Sequence, residues 1–598
     1  MQQKIDLTGT WMFQPSSLEQ GVEEEFYQAD YNTDHWFTVS IPSSFDDGLY
    51  GQRFEESPAW YKRSFYVPES WRGKRVAIRF EGVNFHTKIW VNGVLAGEND
   101  DGFLPFTIVV SDKVQYGEMN AIAVYVDNYR FPDDIPGKQL GWRSYGGILR
   151  EVELIHTDLR YVDRVAITAI PGDEQRGKLH LRILVRNEGE YADSLALSIA
   201  VKELDGKVLK QWTVDVRVPD SGVQEIHLDE EIANIEAWSP DHPALYLCQV
   251  QLTQDTRAID SKEVRFGFRS IETRGDKLLL NGQEIFLAGF NRHEDSYRTG
   301  MCLDIQLVRQ DLLSMKELGA NFVRLCHYPH HPRELDLCDE IGLLVMNELP
   351  LYWSEDNIEH NQQRVVAAKR QLDTFIHRDE NHPSVIFWSV SNETNHSRPE
   401  VAAGNVELIQ LAKRLDPSRL AVYVLNTWEN HMWDPSGGTI PYFEHVEVIC
   451  INSYPCDRNI YPSYPEDPRE AAAHWKEEME QLHRRYPDKP ILHTEFGSPS
   501  IAGLYKDRSF GVDVQANAIE LQFVAMTGSY HCGAVIWCYA DHPWPNKNYG
   551  YDYPRFPLMS PYGVVSRDRH PKTELSYLRR MFEEKQRAFA RHHLNQGE

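Results

Sequence analysis

A β-rich first half, followed by regular alternation of β and α, predicts three domains: an N-terminal jelly-roll-like β-sandwich, an immunoglobulin-like β-sandwich and a C-terminal (β/α)8 TIM barrel. Three observations carry this. The chain has 598 residues, too many for one hydrophobic core. In the first part apolar and polar residues alternate in short runs punctuated by Gly, Pro and Asp, the period of half-buried antiparallel strands. Later, continuous apolar runs, typical of strands buried on both faces, alternate with helical periods. The expected domains are 1–158, 159–267 and 268–598.

In the first domain, Trp60–Val67, Arg75–Phe80, Thr87–Val91 and Ala121–Val126 read as strands. Asn92-Gly93 after the third is a strong hairpin signal, because both residues tolerate positive φ. In the second, Arg164–Thr168, Leu179–Val185, Leu195–Val201 and Leu245–Leu252 are strands of a small sandwich. Only Cys248 falls there, so no intersheet disulfide is expected. In the third, Ile305–Leu318 has a helical period with Gly319 as its stop, Asn321–Leu325 is a strand and Pro332–Glu340 a helix. Leu343–Glu348, Val446–Asn452 and Ala534–Trp537 are further strands, and Val401–Leu415 is a helix ended by Asp416-Pro417.

Composition narrows the function. With 62 Lys+Arg against 89 Asp+Glu the formal charge is -27, which argues against nucleic acid or an anionic membrane as partner. The eight cysteines show no CxxC pair and no zinc-ligand spacing, so they read as free, mostly buried thiols of a reducing compartment. The N-terminus lacks the apolar core of a signal peptide, and no segment is apolar enough to span a bilayer. A cytoplasmic location is the expectation.

Two glutamates then stand out. Glu393 ends the run Ser384-Val-Ile-Phe-Trp-Ser-Val-Ser-Asn-Glu, and Glu495 ends Lys489-Pro-Ile-Leu-His-Thr-Glu. Each run reads as a buried parallel strand delivering a carboxylate at its C-terminal tip, the rim where barrel enzymes carry their active sites. They lie about a hundred residues apart, roughly three strand–helix repeats, a spacing that lets them face each other across the mouth. Paired carboxyl groups, one a raised-pKa acid and one an ionised nucleophile, are what retaining glycoside hydrolysis needs. Asn392 is placed to bond a sugar 2-hydroxyl, and Trp388, Trp537 and Tyr454 offer aromatic faces to a sugar ring. Arg324, near a strand end, suits either substrate contact or an ion pair inside the barrel.

Several blocks in order extend this reading: Tyr145-Gly-Gly-Ile-Leu-Arg150, Asn281 to Asp295, Val323-Arg-Leu-Cys-His-Tyr-Pro329, Asn381 to Glu393 and His493-Thr-Glu-Phe-Gly497. Through them nearly the whole chain resembles glycoside hydrolase family 2, which holds β-galactosidases, β-glucuronidases and β-mannosidases. The resemblance implies Glu393 as acid/base and Glu495 as nucleophile. It also implies sugar-binding roles for Asn392, His293, His327, Tyr454 and Trp537, and assembly into homo-oligomers.

The sugar is less directly written. Overall length and the tail Gly563-Val-Val-Ser-Arg-Asp-Arg-His-Pro-Lys572 are similar to β-glucuronidases. The Asn-x-Lys that binds the substrate carboxylate in that group is replaced here by Ser560-Pro561-Tyr562, so Lys547 or Arg555 in the preceding loop would have to supply a cation. His327-Tyr-Pro-His-His-Pro332 is closer to the β-galactosidase form. Glu348 is followed by Leu-Pro without the histidine of the magnesium-dependent galactosidases, so no metal site is expected. The reading is a retaining exo-β-glycosidase that needs no cofactor and acts on a small glycoside or oligosaccharide. It is a β-hexuronidase (glucuronide or galacturonide) or a β-galactosidase. The alternatives are a neutral-sugar arabinosidase, xylosidase or mannosidase, and a non-catalytic carbohydrate-binding protein.

Overall fold

The structure is a computed structural model and describes all residues except 1–2, 46–57, 191–192, 354–359, 397, 427–442, 458–463, 508, 527, 545–558 and 595–598. The first domain packs a four-stranded sheet on a six-stranded one. Alternate residues of both sheets, among them Trp11, Phe13, Ile78, Phe80, Val124 and Leu154, form one core. The Asn92-Gly93 turn joins His86–Val91 to Val94–Asp100 with φ of 49° and 83°. Positive φ at both central residues matches the right-handed twist of the flanking strands.

The second domain sets a three-stranded sheet against a four-stranded one over a core that includes Leu181, Ile199, Val250 and Phe266. Cys248 is a buried free thiol within it. Three strands, Val208–Val218, Val223–Ala233 and Arg257–Phe266, go beyond those read in the sequence. Val208–Val218 does alternate from Trp212 onward and buries Val216 and Val218, whereas Val223–Ala233 interrupts its inward series with Glu230 and Arg257–Phe266 carries Asp260 and Lys262 in its own.

The third domain is a closed barrel of eight parallel strands. They are β1 Leu287–Arg292, β2 Phe322–Leu325, β3 Leu344–Glu348, β4 Val385–Asn392, β5 Leu420–Asn426, β6 Ile449–Asn452, β7 Ile491–Phe496 and β8 His531–Ile536. Helix α1, Ile305–Glu317, starts where the Asp304 side chain accepts from Leu307 N. Helix α2, Pro332–Ile341, carries Pro at its first turn and ends on Gly342 at φ 80°, a position that favours glycine. A hairpin, Ile271–Arg274 with Lys277–Leu280, closes the N-terminal end of the barrel. Its Ile271, Leu278 and Leu280 pack with Leu287, Phe322, Leu344, Leu492 and Val535.

The domains are joined by buried polar contacts. Arg269, between the second sandwich and the barrel, donates to the carbonyls of Pro383 (3.2 Å), Val385 (2.8 Å) and Ser418 (2.9 Å), and so grips the start of β4. Asn381 accepts from Ile167 N at 2.8 Å and donates to Val165 O at 2.8 Å. The Asn-His-Pro segment before β4 therefore serves the domain seam and lies away from the barrel mouth. The tail after β8 forms a second joint. Arg567 donates to Asp295 (2.8 Å) and to the Tyr145 hydroxyl (3.1 Å), and that hydroxyl donates to Asp295 (2.9 Å). Arg569 donates to Asp311 at 3.0 Å, which also holds Arg292.

Trp388 departs from expectation. It is fully buried in mid-strand, bonds Asp416 at 3.0 Å through Nε1 and packs edge-on against Phe375 outside the barrel. The register of β4 shifts between Ser389 and Asn392. Ser389, the residue after Trp388, bonds Glu348 inside the barrel at 2.8 Å, so the alternation of the strand turns Trp388 outward into the core beneath the helices, away from any sugar.

Candidate active site

Both glutamates stand at the C-terminal rim of the barrel, at the tips of β4 and β7. Glu393 takes a left-handed backbone, φ 51°, an uncommon conformation for a residue with a Cβ and one that clusters at functional sites. Its amide donates to Val424 O at 2.9 Å. Its carboxylate accepts from Trp353 Nε1 (2.8 Å) and Asn452 Nδ2 (2.8 Å). Burial, helped by the charge of Glu495, pushes the Glu393 pKa up to about 7.

Glu495 accepts from Arg324 Nη1 at 2.5 Å and from the Tyr454 hydroxyl at 2.5 Å. Burial raises its pKa too, but the guanidinium and the phenol both favour its charged form. Two buried carboxyl groups are thus held in unlike environments, one by neutral donors and one by a cation. They are linked through Asn392, whose Oδ1 accepts from Arg324 (2.7 Å) and from Asn452 (3.1 Å).

Arg324 belongs to the protein and leaves no donor for a ligand. It is fully buried, and its Nε, Nη1 and Nη2 are directed at Glu348, Asn291, Glu495 and Asn392. Of the two roles open in the sequence, the structure places it in the ion pair. His327 bonds Glu348 through Nδ1 at 2.7 Å, and its Nε2 lies 3.9 Å from Glu495. His293 bonds the Tyr328 hydroxyl at 3.2 Å, while its buried Nε2 has no partner among the described residues. Burial pushes both histidine pKa values down, so both are neutral near pH 7. Trp537 stacks on the His327 ring at 5.3 Å and meets the His293 ring edge-on at 5.4 Å. Glu393, Glu495, Asn392, His293, His327, Tyr454 and Trp537 therefore form one site. Lys547 and Arg555 lie outside the described residues.

Other members of the site carry little sequence signal. Asn452 ends β6, and Trp353 follows β3 at a distance of several residues. Trp142 comes from the first domain, where it packs against Tyr352 (4.9 Å), His327 (5.6 Å) and His293 (5.9 Å). An aromatic residue in a loop far upstream gives no periodicity to read. The tail residues named in the sequence prove structural: Lys572 donates to Asp541 and to the Ser500 and Pro561 carbonyls. Tyr562, where the family resemblance would place a lysine, is buried and donates to Asp457 at 2.5 Å.

His293, Cys326 and His327 present ligand-type atoms within 4.8 Å of one another. The chemistry does not favour a metal there. The Cys326 thiol donates to Arg292 O, burial raises its pKa well above the usual thiol range, and the Arg324 cation adjoins the cluster.

A closed barrel bearing a raised-pKa glutamate and a cation-held glutamate on two strand tips defines the class of carbohydrate-cleaving barrel enzymes. The chain belongs to the glycosyl hydrolases of family 2. The family's sugar-binding domain matches residues 5–158, its second domain 160–269 and its TIM barrel domain 271–586. The chain is 28% identical to a β-glucuronidase of Canis lupus familiaris, over 97% of this chain and 90% of the relative. Its fold superposes on a β-glucuronidase of Ruminococcus gnavus with TM-score 0.86, 22% identity and 98% coverage of both chains. A putative β-galactosidase of Bacteroides fragilis gives TM-score 0.85 at 24% identity, covering 98% of this chain and 86% of that one. Among the described residues no helix is long and apolar enough to cross a membrane.

Proposed function

We propose that the chain is a retaining exo-β-glycosidase that releases a terminal β-linked hexuronic acid from small glycosides. The observation that carries the reading is the contrast between Glu393, lifted to about pKa 7, and Glu495, held by Arg324. In the first half-reaction Glu495 attacks the anomeric carbon while Glu393 gives its proton to the glycosidic oxygen, and the aglycone leaves as an alcohol. In the second, Glu393 takes a proton from water, the hydroxide attacks the same carbon, and Glu495 departs as a carboxylate. The neutral imidazoles of His293 and His327 and the face of Trp537 supply hydroxyl and ring contacts.

The uronide assignment rests on the β-glucuronidase relative that the chain matches along nearly its whole length. One observation favours a second reading, a β-galactoside or another neutral sugar. The Tyr562 phenol, bound to Asp457, stands where a uronate-binding lysine would be. We place the enzyme in the cytoplasm, as a homo-oligomer acting on imported glycosides.

An assay against aryl β-glucuronide, β-galacturonide, β-galactoside, β-glucoside, β-xyloside, β-mannoside and α-L-arabinoside tests this, with Glu495→Ala as control. Uronide turnover that is lost in the control supports the first reading, and a neutral-sugar preference replaces it with the second. Sugar binding without turnover on any glycoside would make the chain a binding protein.

A further inference from the structure

The first domain does more than flank the barrel. The segment between its strands Glu118–Asp127 and Gly147–Ile148 reaches into the barrel mouth. Gly141 O accepts from His542 Nε2 at 3.2 Å, and Arg143 N donates to Pro543 O at 3.1 Å. The approach at Gly141 is close enough that a Cβ there would meet the Tyr352 hydroxyl at 2.5 Å. Between these anchors the Trp142 ring is buried edge-on against Tyr352, with centroids 4.9 Å apart at 80°. Tyr352 packs on Trp353 at 4.6 Å, and Trp353 Nε1 donates to Glu393 at 2.8 Å.

We propose that Trp142 is a positioning residue for the acid/base glutamate, supplied to the barrel by the N-terminal sandwich and acting through Tyr352 and Trp353. This rests on the glycosidase reading. Glu393 sits in a left-handed backbone at the end of its strand, so its direction depends on the groups around its carboxylate. Trp353, one of its two described donors, is followed at once by chain outside the described residues and is held from the other side by Tyr352. Trp142 backs Tyr352, and among the described residues its own Nε1 has no hydrogen-bond partner. Its contribution is therefore ring packing, which places an aromatic pair more specifically than area burial alone.

A role through Glu393 has a signature that plain seam packing lacks, because only poor leaving groups need the proton. The test compares kcat/KM for the methyl and the 2,4-dinitrophenyl glycoside of the sugar that the unmodified enzyme prefers. In Trp142→Ala the methyl glycoside should lose about ten- to a hundredfold, part of the roughly 10²–10⁴-fold that a placed general acid supplies. The dinitrophenyl glycoside should lose about tenfold less than the methyl glycoside, because its leaving group departs unprotonated, and what it does lose reports the packing of Trp142 on His293 and His327, which both substrates share. Trp142→Phe, which keeps a ring, should restore most of the methyl-glycoside rate. In a Trp353→Phe background the Trp142→Ala penalty should largely vanish, since residues acting in one chain are non-additive.

Equal losses on both substrates, or full additivity with Trp353→Phe, would overturn the proposal. If Trp142→Ala does not accumulate as folded protein, Trp142→Leu is read by the same comparison. If the unmodified enzyme turns over no glycoside, the glycosidase reading itself fails. A working enzyme without the leaving-group contrast refutes only the role of Trp142.

Discussion

Tyr454→Phe removes a single oxygen and tests the division of labour between the two glutamates. In the native site the Tyr454 hydroxyl donates to Glu495 at 2.5 Å, and burial raises the phenol's own pKa well above its usual range, so it remains a donor throughout the working pH. A hydrogen bond to a buried charged group is worth about 1.5–3 kcal/mol. One pKa unit corresponds to about 1.4 kcal/mol, so losing this bond should raise the Glu495 pKa by about one to two units. Arg324 still holds the carboxylate, so the nucleophile stays ionisable. Activity requires Glu495 ionised and Glu393 protonated. The acid limb of the kcat/KM profile should therefore move up by that amount. The alkaline limb, set by Glu393 at about 7, should stay in place. The bell narrows from the acid side, its optimum shifts upward and its height falls. The assay is a full pH–rate profile of both proteins on one aryl glycoside. An acid limb that does not move, or an alkaline limb that moves instead, would refute the assignment of Glu495 as the ionised partner.

Other expectations follow from the same geometry. Glu393→Ala should depress hydrolysis of a methyl glycoside by roughly 10²–10⁴-fold while largely sparing formation of the glycosyl-enzyme from an activated aryl glycoside, measured by pre-steady-state release of the phenol. His493 and His531 form a buried pair at 2.8 Å, and burial depresses the His493 pKa to about 3. The unfolded chain binds that proton near pH 6.5 and the folded one does not. The pair's contribution is thus full above pH 6.5 and drains away as pH falls from 6.5 toward 3. Thermal melts should show Tm falling through that window, and falling less in His493→Leu. Arg569→Ala leaves the buried Asp311 to Arg292, which still pairs its charge, and should cost about 1.5–3 kcal/mol in chemical denaturation, the worth of the charged hydrogen bonds removed. A change under 1 kcal/mol there would mean that the tail joint adds nothing.

The architecture was legible because each domain writes a different hydrophobic period, and the glutamates because buried strands rarely end in a carboxylate. The helices read as Ile305–Leu318, stopped by Gly319, and Pro332–Glu340 end within a residue of α1 and α2, since capping is local chemistry; the caps Asp304 and Gly342 themselves came only with the structure. What remained hidden is what tertiary structure decides. Trp388 was misplaced because it stands on the outward face of β4, short of the tip, a facing that a continuous apolar run does not mark. Arg324 looked equally fit for substrate and for an ion pair, and only the convergence of Glu348, Glu495, Asn291 and Asn392 on it settles which. Trp142, Tyr352 and Trp353 reach the site from loops of two domains, where no period exists.

The joint of Tyr145, Asp295 and Arg567 also sets an order in time. Its three members are far apart in the chain, and an emerging polypeptide folds its leading domain first. The N-terminal sandwich is thus complete long before Arg567 leaves the ribosome, with the Trp142–Tyr145 face waiting uncovered through the synthesis of more than half the protein. The barrel mouth is finished only when the last link closes over that face. A translation arrest between residues 495 and 567 would therefore yield chains that hold both glutamates and still lack the Arg567 link between the sandwich and the barrel.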